Sequence, residues 1–208
     1  MGPQRTACRR TRASRRQIYA GLLAALSVSL VVVPGTAFAK RSATDCITPA
    51  GEELNQTFET RDAFVAPYCT EMRTGDRWRA ILRIAVAGSE PVFPGAYAPL
   101  RPRLDEDFLA KFVSARYVVD AGTSRERSYA FSAGDLVVQA GAIPDGTRFV
   151  RWVTPPLHPL PPGDHTVHEY VTLSADFWDG LGLDPAINLI PGGESLAGSV
   201  GFSVSRPE

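Results

Sequence analysis

The chain is poor in the residues that most often carry chemistry. It holds three cysteines and three histidines in 208 residues. No two cysteines stand in a CxxC pair, which removes the zinc ribbons and dithiol redox motifs built on that spacing. Charge of one sign is missing as well: 22 basic residues face 22 acidic ones. That balance excludes the basic footprint expected of a nucleic-acid binder. The longest apolar run, "AGLLAALSVSLVVV" at Ala20–Val33, is shorter than the roughly 20 residues that span a bilayer as a helix. Helical periodicity is scarce, and neither a phosphate loop nor a dinucleotide fingerprint occurs.

What is present starts with an export pattern. Residues 1–39 contain six arginines and no acid, then the apolar run, then "AFA" (Ala37–Ala39). A basic region, an apolar region and small residues at −3 and −1 predict a cleaved signal peptide, with Lys40 as the first mature residue. "SRRQIYA" (Ser14–Ala20) resembles the twin-arginine export motif, with Ile18 where that motif prefers Phe. The strongly apolar run suits the general secretory route, so both routes stay open. The expected destination is secreted, periplasmic or cell-envelope, in a bacterium, with no stable membrane anchor after cleavage. Removing the signal leaves 16 basic against 22 acidic residues, a mildly acidic chain with no expected affinity for nucleic acid.

The mature 169 residues suit one domain. Two cysteines survive, Cys46 and Cys69. In an exported chain they are expected to form one disulfide. That bridge would pin the weakly patterned segment 40–76 to itself, ahead of a β-sandwich over 77–208.

From Arg77 onward the dominant period is two. In "RWRAILRIAV" Trp78, Ala80, Leu82, Ile84 and Val86 share one face. Val113, Ala115, Tyr117 and Val119 repeat the pattern, as do Leu196, Gly198, Val200, Phe202 and Val204. Alternation of this kind marks strands with one core face and one wet face. About seven short strands with Pro/Gly punctuation predict an all-β fold, a single Ig-like antiparallel β-sandwich. "RLDEDFLAKF" (Arg103–Phe112) reads as one short helix, with acids in its first turn.

"PLPPGDHT" (Pro159–Thr166) leads into a strand. It resembles a turn near the C-terminus of many uncharacterised exported bacterial β-sandwich proteins, where Pro-Gly-x-His-Thr opens one of the last strands. The resemblance reaches over Arg148–Val204 at most. It implies a sandwich and no known active site.

The candidate functional residues are few. His165 and His168 are three apart, so on a strand they point to opposite faces. The prolines and glycine before them oppose the helix that an HExxH zinc site needs. His165 is expected to close the turn, while His168 and Glu169 are exposed or line a groove. His158 stands among prolines in a loop. Asp176, Asp179 and Asp184 share the Gly-containing stretch "DFWDGLGLD", whose spacing departs from a calcium loop. "GESLAG" (Gly193–Gly198) misses the nucleophile elbow, because Ser195 opens a strand and every histidine precedes it. No cofactor or metal is expected. The function expected is a non-catalytic binding or interaction module with an extracellular or envelope ligand. The alternative is a secreted hydrolase with a carboxylate or His-based site assembled in space.

Overall fold

The computed structural model describes residues 45–206 except 144. The expected signal at 1–39 lies outside the described residues. The elements run α1 (Leu54–Thr57), β1 (Ala63–Val65), β2 (Glu71–Arg73), β3 (Trp78–Val86), α2 (Leu104–Lys111), β4 (Phe112–Val119), β5 (Arg127–Ser132), a 3-10 turn (Ala133–Asp135), β6 (Val137–Ala142), β7 (Arg148–Val153), β8 (Gly163–Leu173), β9 (Phe177–Trp178), α3 (Pro185–Asn188), β10 (Leu189–Ile190) and β11 (Gly193–Ser205). The chain is mostly β, as its alternation predicts. A five-stranded sheet has the order β2-β11-β8-β4-β5, a four-stranded sheet the order β1-β3-β7-β6, and β9 and β10 form a small ribbon.

The sheets are mixed, not purely antiparallel. β1 runs parallel to β3, and β2 parallel to β11. These strands come from the segment that lacks alternation. With three residues each, they are too short to display a period.

Both larger sheets feed one core. Trp78, Leu82 and Trp152 from the four-stranded sheet share it with Tyr117, Val171 and Phe202 from the five-stranded one. The Trp78 ring lies 5.7 Å from that of Phe202. The aromatic side of α2 completes the core, Phe108 stacking on Trp152 at 5.4 Å. The other face of the four-stranded sheet is covered too. Ile81 and Val153 pack there against Cys46, Leu54, Phe64 and Ala66. The disulfide joins Cys46 to Cys69 across a Cα–Cα distance of 5.7 Å, within the ordinary range. Segment 45–76 is therefore a second layer against the sheet, and its strands reach both sheets.

Two bulges re-aim side chains that the alternation places in the core. Val113 is the extra residue where β4 slips against β8 between Phe112 and Ser114, and it is 48% exposed. In β11 the slip falls between Leu196 and Gly198. Leu196 then sits opposite outward-facing Tyr170 and is 58% exposed. A bulge adds one residue to one strand and inverts the phase beyond it.

The helix forms where expected, but two of its three acids do not face water; only Glu106 is exposed. Asp105 and Asp107 are buried, as is Lys111. Burial opposes the charge of Asp105, yet Arg148 and Arg103 outweigh it and hold the carboxyl down to about 2. The Lys111 ammonium donates to Asp107 at 2.7 Å and to the Tyr97 hydroxyl at 2.9 Å. Asp107 also accepts from the backbone N–H groups of Leu100 and Arg101. The irregular chain between β3 and α2 is anchored by this knot.

Candidate functional site

β4 ends at Val119, and Asp120 turns the chain with φ +52. β8 starts beside it at Gly163, whose φ of +133 suits glycine. His165 points inward, its ring stacked on Phe202 at 5.5 Å. Its Nδ1 lies 2.7 Å from Asp120 Oδ2 and its Nε2 lies 2.9 Å from the Pro161 carbonyl. Asp120 Oδ1 accepts from the Thr166 N–H at 3.2 Å. The Pro-Gly-x-His-Thr segment is thus a clasp: the proline carbonyl and a distant aspartate hold the ring. Neither ring nitrogen is left over for a substrate. Asp120→Ala should strip a buried ring and a backbone N–H of their acceptor, lowering stability by about 1–3 kcal/mol. Urea unfolding of the variant measures this loss, and an unchanged midpoint would show the clasp to be idle.

A polar cleft of about 300 Å³ opens against this clasp, lined by Asp120, Thr123, Arg125, Asp164, Thr166 and His168. The Arg125 guanidinium is half exposed, with Nε 3.7 Å from Asp120 Oδ2 and Nη2 3.4 Å from the Asp164 carbonyl. Both contacts are long, which leaves Arg125 available. His168 is half-buried, on the opposite face of β8 from His165, as the three-residue spacing requires.

Glu169 does not join His168. It faces the core and is 1% exposed, which corrects its assignment to an exposed or groove position. A β-strand turns consecutive side chains to opposite faces, so the pair is split between surface and interior. Glu169 stands opposite Tyr117 on one neighbouring strand and Gly198 on the other. Gly198 supplies the space: a Cβ there would lie 3.1 Å from Glu169 Oε2. Both Glu169 oxygens are buried without a hydrogen-bond partner, while the Tyr117 hydroxyl and the Trp152 indole N–H are buried beside each other. Burial pushes Glu169 up to about 8, so it holds its proton at neutral pH. Burial and the nearby Glu169 charge also push the Tyr117 phenol upward.

No protein family, characterised protein or solved structure matches the chain.

The loop acids have local duties. Asp176 accepts from the Gly192 N–H at 2.8 Å. Asp179 accepts from the Leu181 N–H at 2.8 Å and from the Asn188 amide at 3.1 Å. Asp184 caps α3 by accepting from the Ala186 N–H at 2.9 Å. They do not converge, and no group of three or more potential metal ligands occurs among the described residues. Adding calcium, zinc or a chelator should leave the melting temperature unchanged, because only a ligand that prefers the folded state shifts it. A rise of several degrees that vanishes in Asp179→Ala would overturn this. His158 is exposed, and its contribution is its backbone carbonyl, which accepts from the Trp78 indole at 2.9 Å. Ser195 lies within β11, not at a strand-to-helix turn. Sequence reasoning missed Asp120 and Arg125. The clasp joins residues 45 apart, and "VVDAGTSRE" reads as an ordinary turn.

Proposed function

We propose that the chain is exported to the cell envelope or the medium and acts there as a non-catalytic binding module with an Ig-like β-sandwich architecture. The sandwich reading is supported by two sheets that share one core. "Ig-like" refers to architecture only, since the disulfide packs with the second layer rather than in the shared core. The observation that carries the function is the division of roles at the clasp. His165 and Asp120 spend their polar atoms on holding the turn, while Arg125, Asp164 and His168 rim an open cleft. Loops on a rigid scaffold are the usual place for recognition.

The cleft mixes donors with carboxylates, so a compact anion placed in it meets Asp120 and Asp164 as well as Arg125. A neutral, hydroxyl-rich ligand suits it better, because each hydroxyl both donates and accepts. Titrating the isotope-labelled exported chain with cellotriose and triacetylchitotriose tests this by NMR. Saturable shifts at Thr123, Arg125 and His168, weakened tenfold or more by Asp164→Ala, are the expected result. Absence of shifts in the cleft with either sugar would refute the ligand class. Intact-mass analysis of the exported chain should find Lys40 first, and a mass retaining the apolar run would refute export with cleavage.

A further inference from the structure

Among the described residues the two larger sheets end in four edge strands, β1, β6, β2 and β5. An unpaired edge offers a row of N–H and C=O groups to any extended chain, and proteins blunt such edges with short strands, charge, proline or cover. Three of the four are blunted. β1 has three residues, all buried. β2 has three residues and carries Glu71 and Arg73. β5 follows Arg125 and Glu126 and begins with Arg127, whose guanidinium reaches the Pro159 carbonyl.

Within the strand itself β6 has none of these devices. Its six residues read "VVQAGA", without charge or proline. Val137 is 46% exposed. Ala140 faces the core opposite Val150, yet it too is exposed. The core is therefore open along this flank, where Tyr129, Phe131 and Val138 are only partly buried. β5 and β6 are consecutive strands joined through the 3-10 turn, so the open edges of both sheets meet on one side.

We propose that β6 is a self-association edge, pairing antiparallel with β6 of a second copy of this chain to join the two four-stranded sheets. The strand suits itself. Centring the pair on Gln139 keeps core-facing residues on one side of the joint sheet. It sets Val137 of one copy beside Gly141 of the other, and Val138 beside Ala140. Gly141 has the Phe149 ring lying across it, 2.5 Å from where a Cβ would stand. The incoming Val137 thus meets an aromatic face where this strand has no side chain, a cross-strand contact of the kind that compensates an edge glycine. The flanking acids oppose no acid in this register: Asp135 falls opposite Ile143, and Asp145 opposite Ala133. Such a dimer is isologous and closed. One strand pair buries little surface, so the association is weak and concentration-dependent.

Sedimentation velocity of the exported chain, from low micromolar to several hundred micromolar, should show a reversible monomer–dimer equilibrium. Ala140→Lys puts a charge on the core-facing side of the edge. It should weaken the dimer at least tenfold while leaving the melting temperature of the dilute protein unchanged. Hydrogen exchange of the unaltered chain should show concentration-dependent protection confined to β6, which locates the interface even if the variant folds poorly. A monomer at the highest concentration overturns the proposal, as does a dimer that protects another strand or ignores the lysine.

Discussion

Raising the pH from about 4.5 to about 8 should destabilise the fold by several kcal/mol, with Glu169 as the source. The sign follows from proton counting. In the unfolded chain Glu169 releases its proton near 4.5, whereas in the fold burial holds it until about 8. Between those values the folded state binds more protons than the unfolded one, so stability falls as pH rises, and it levels off above the higher value. Each pH unit of difference is worth about 1.4 kcal/mol, and relaxation of the core around the charge trims the total to roughly 3–5 kcal/mol. Asp105 acts in another window. Its carboxyl is held down to about 2, so its contribution is present above its unfolded value and is lost only as pH falls toward 2. Glu169→Gln keeps the shape and cannot ionise. Its urea-unfolding free energy should therefore be nearly flat between pH 5 and 8 where that of the unaltered chain declines. Parallel curves for the two proteins would mean that Glu169 ionises in the fold as readily as it does in the unfolded chain.

Removing the disulfide should cost about as much. Cys46 and Cys69 are 23 positions apart, and the chain-entropy relation gives roughly 3 kcal/mol for a loop of that size. For a domain of this length that is a fall of roughly 6–12 °C in melting temperature. The bridged segment does more than close on itself. Glu52 accepts a two-pronged interaction from Arg151, and the Arg151 guanidinium lies over the Phe58 ring at 5.3 Å. When the segment loosens, Ile81, Val153 and Arg151 lose their cover. Reduction is thus expected to raise hydrogen exchange first in residues 46–69 and next along the outward side of β7. Free-thiol labelling of both cysteines in protein purified without reductant would refute the bridge. Equal protection of β7 with and without reductant would show that the second layer contributes little.

The period of two made the larger strands legible, because a half-buried strand writes its burial directly into alternation. Trp78, Ala80 and Leu82, or Val200, Phe202 and Val204, are buried as that pattern predicts. Val113 and Leu196 escaped it because a bulge is a matter of register between strands. Neither strand's own sequence records its partner's slip. Glu169 was illegible for the opposite reason. A carboxylate among "HEYVTL" has the chemistry of a surface residue, and only the count along β8 turns it inward. The opening turn was legible in kind, since a histidine after Pro-Gly was expected to close it. Its partner Asp120 was not, because nothing local ties an aspartate after β4 to a histidine in β8.

The parallel pairing of β2 with β11 has a consequence for the order of events during synthesis. Glu71 is matched with Ser203 and Arg73 with Ser205. A ribosome makes β2 early, yet the strand that receives it is completed some 130 residues later. Until then the sheet β1-β3-β7-β6 can assemble, since its last strand ends at Val153, but β2 has no partner to join. Pairings so distant in sequence are slow to find, since loop entropy is lost before any contact compensates. The fold therefore cannot be finished domain-first as the chain emerges. Its last strand is the one that seats its second, and a nascent chain arrested before residue 203 would leave β2 unseated.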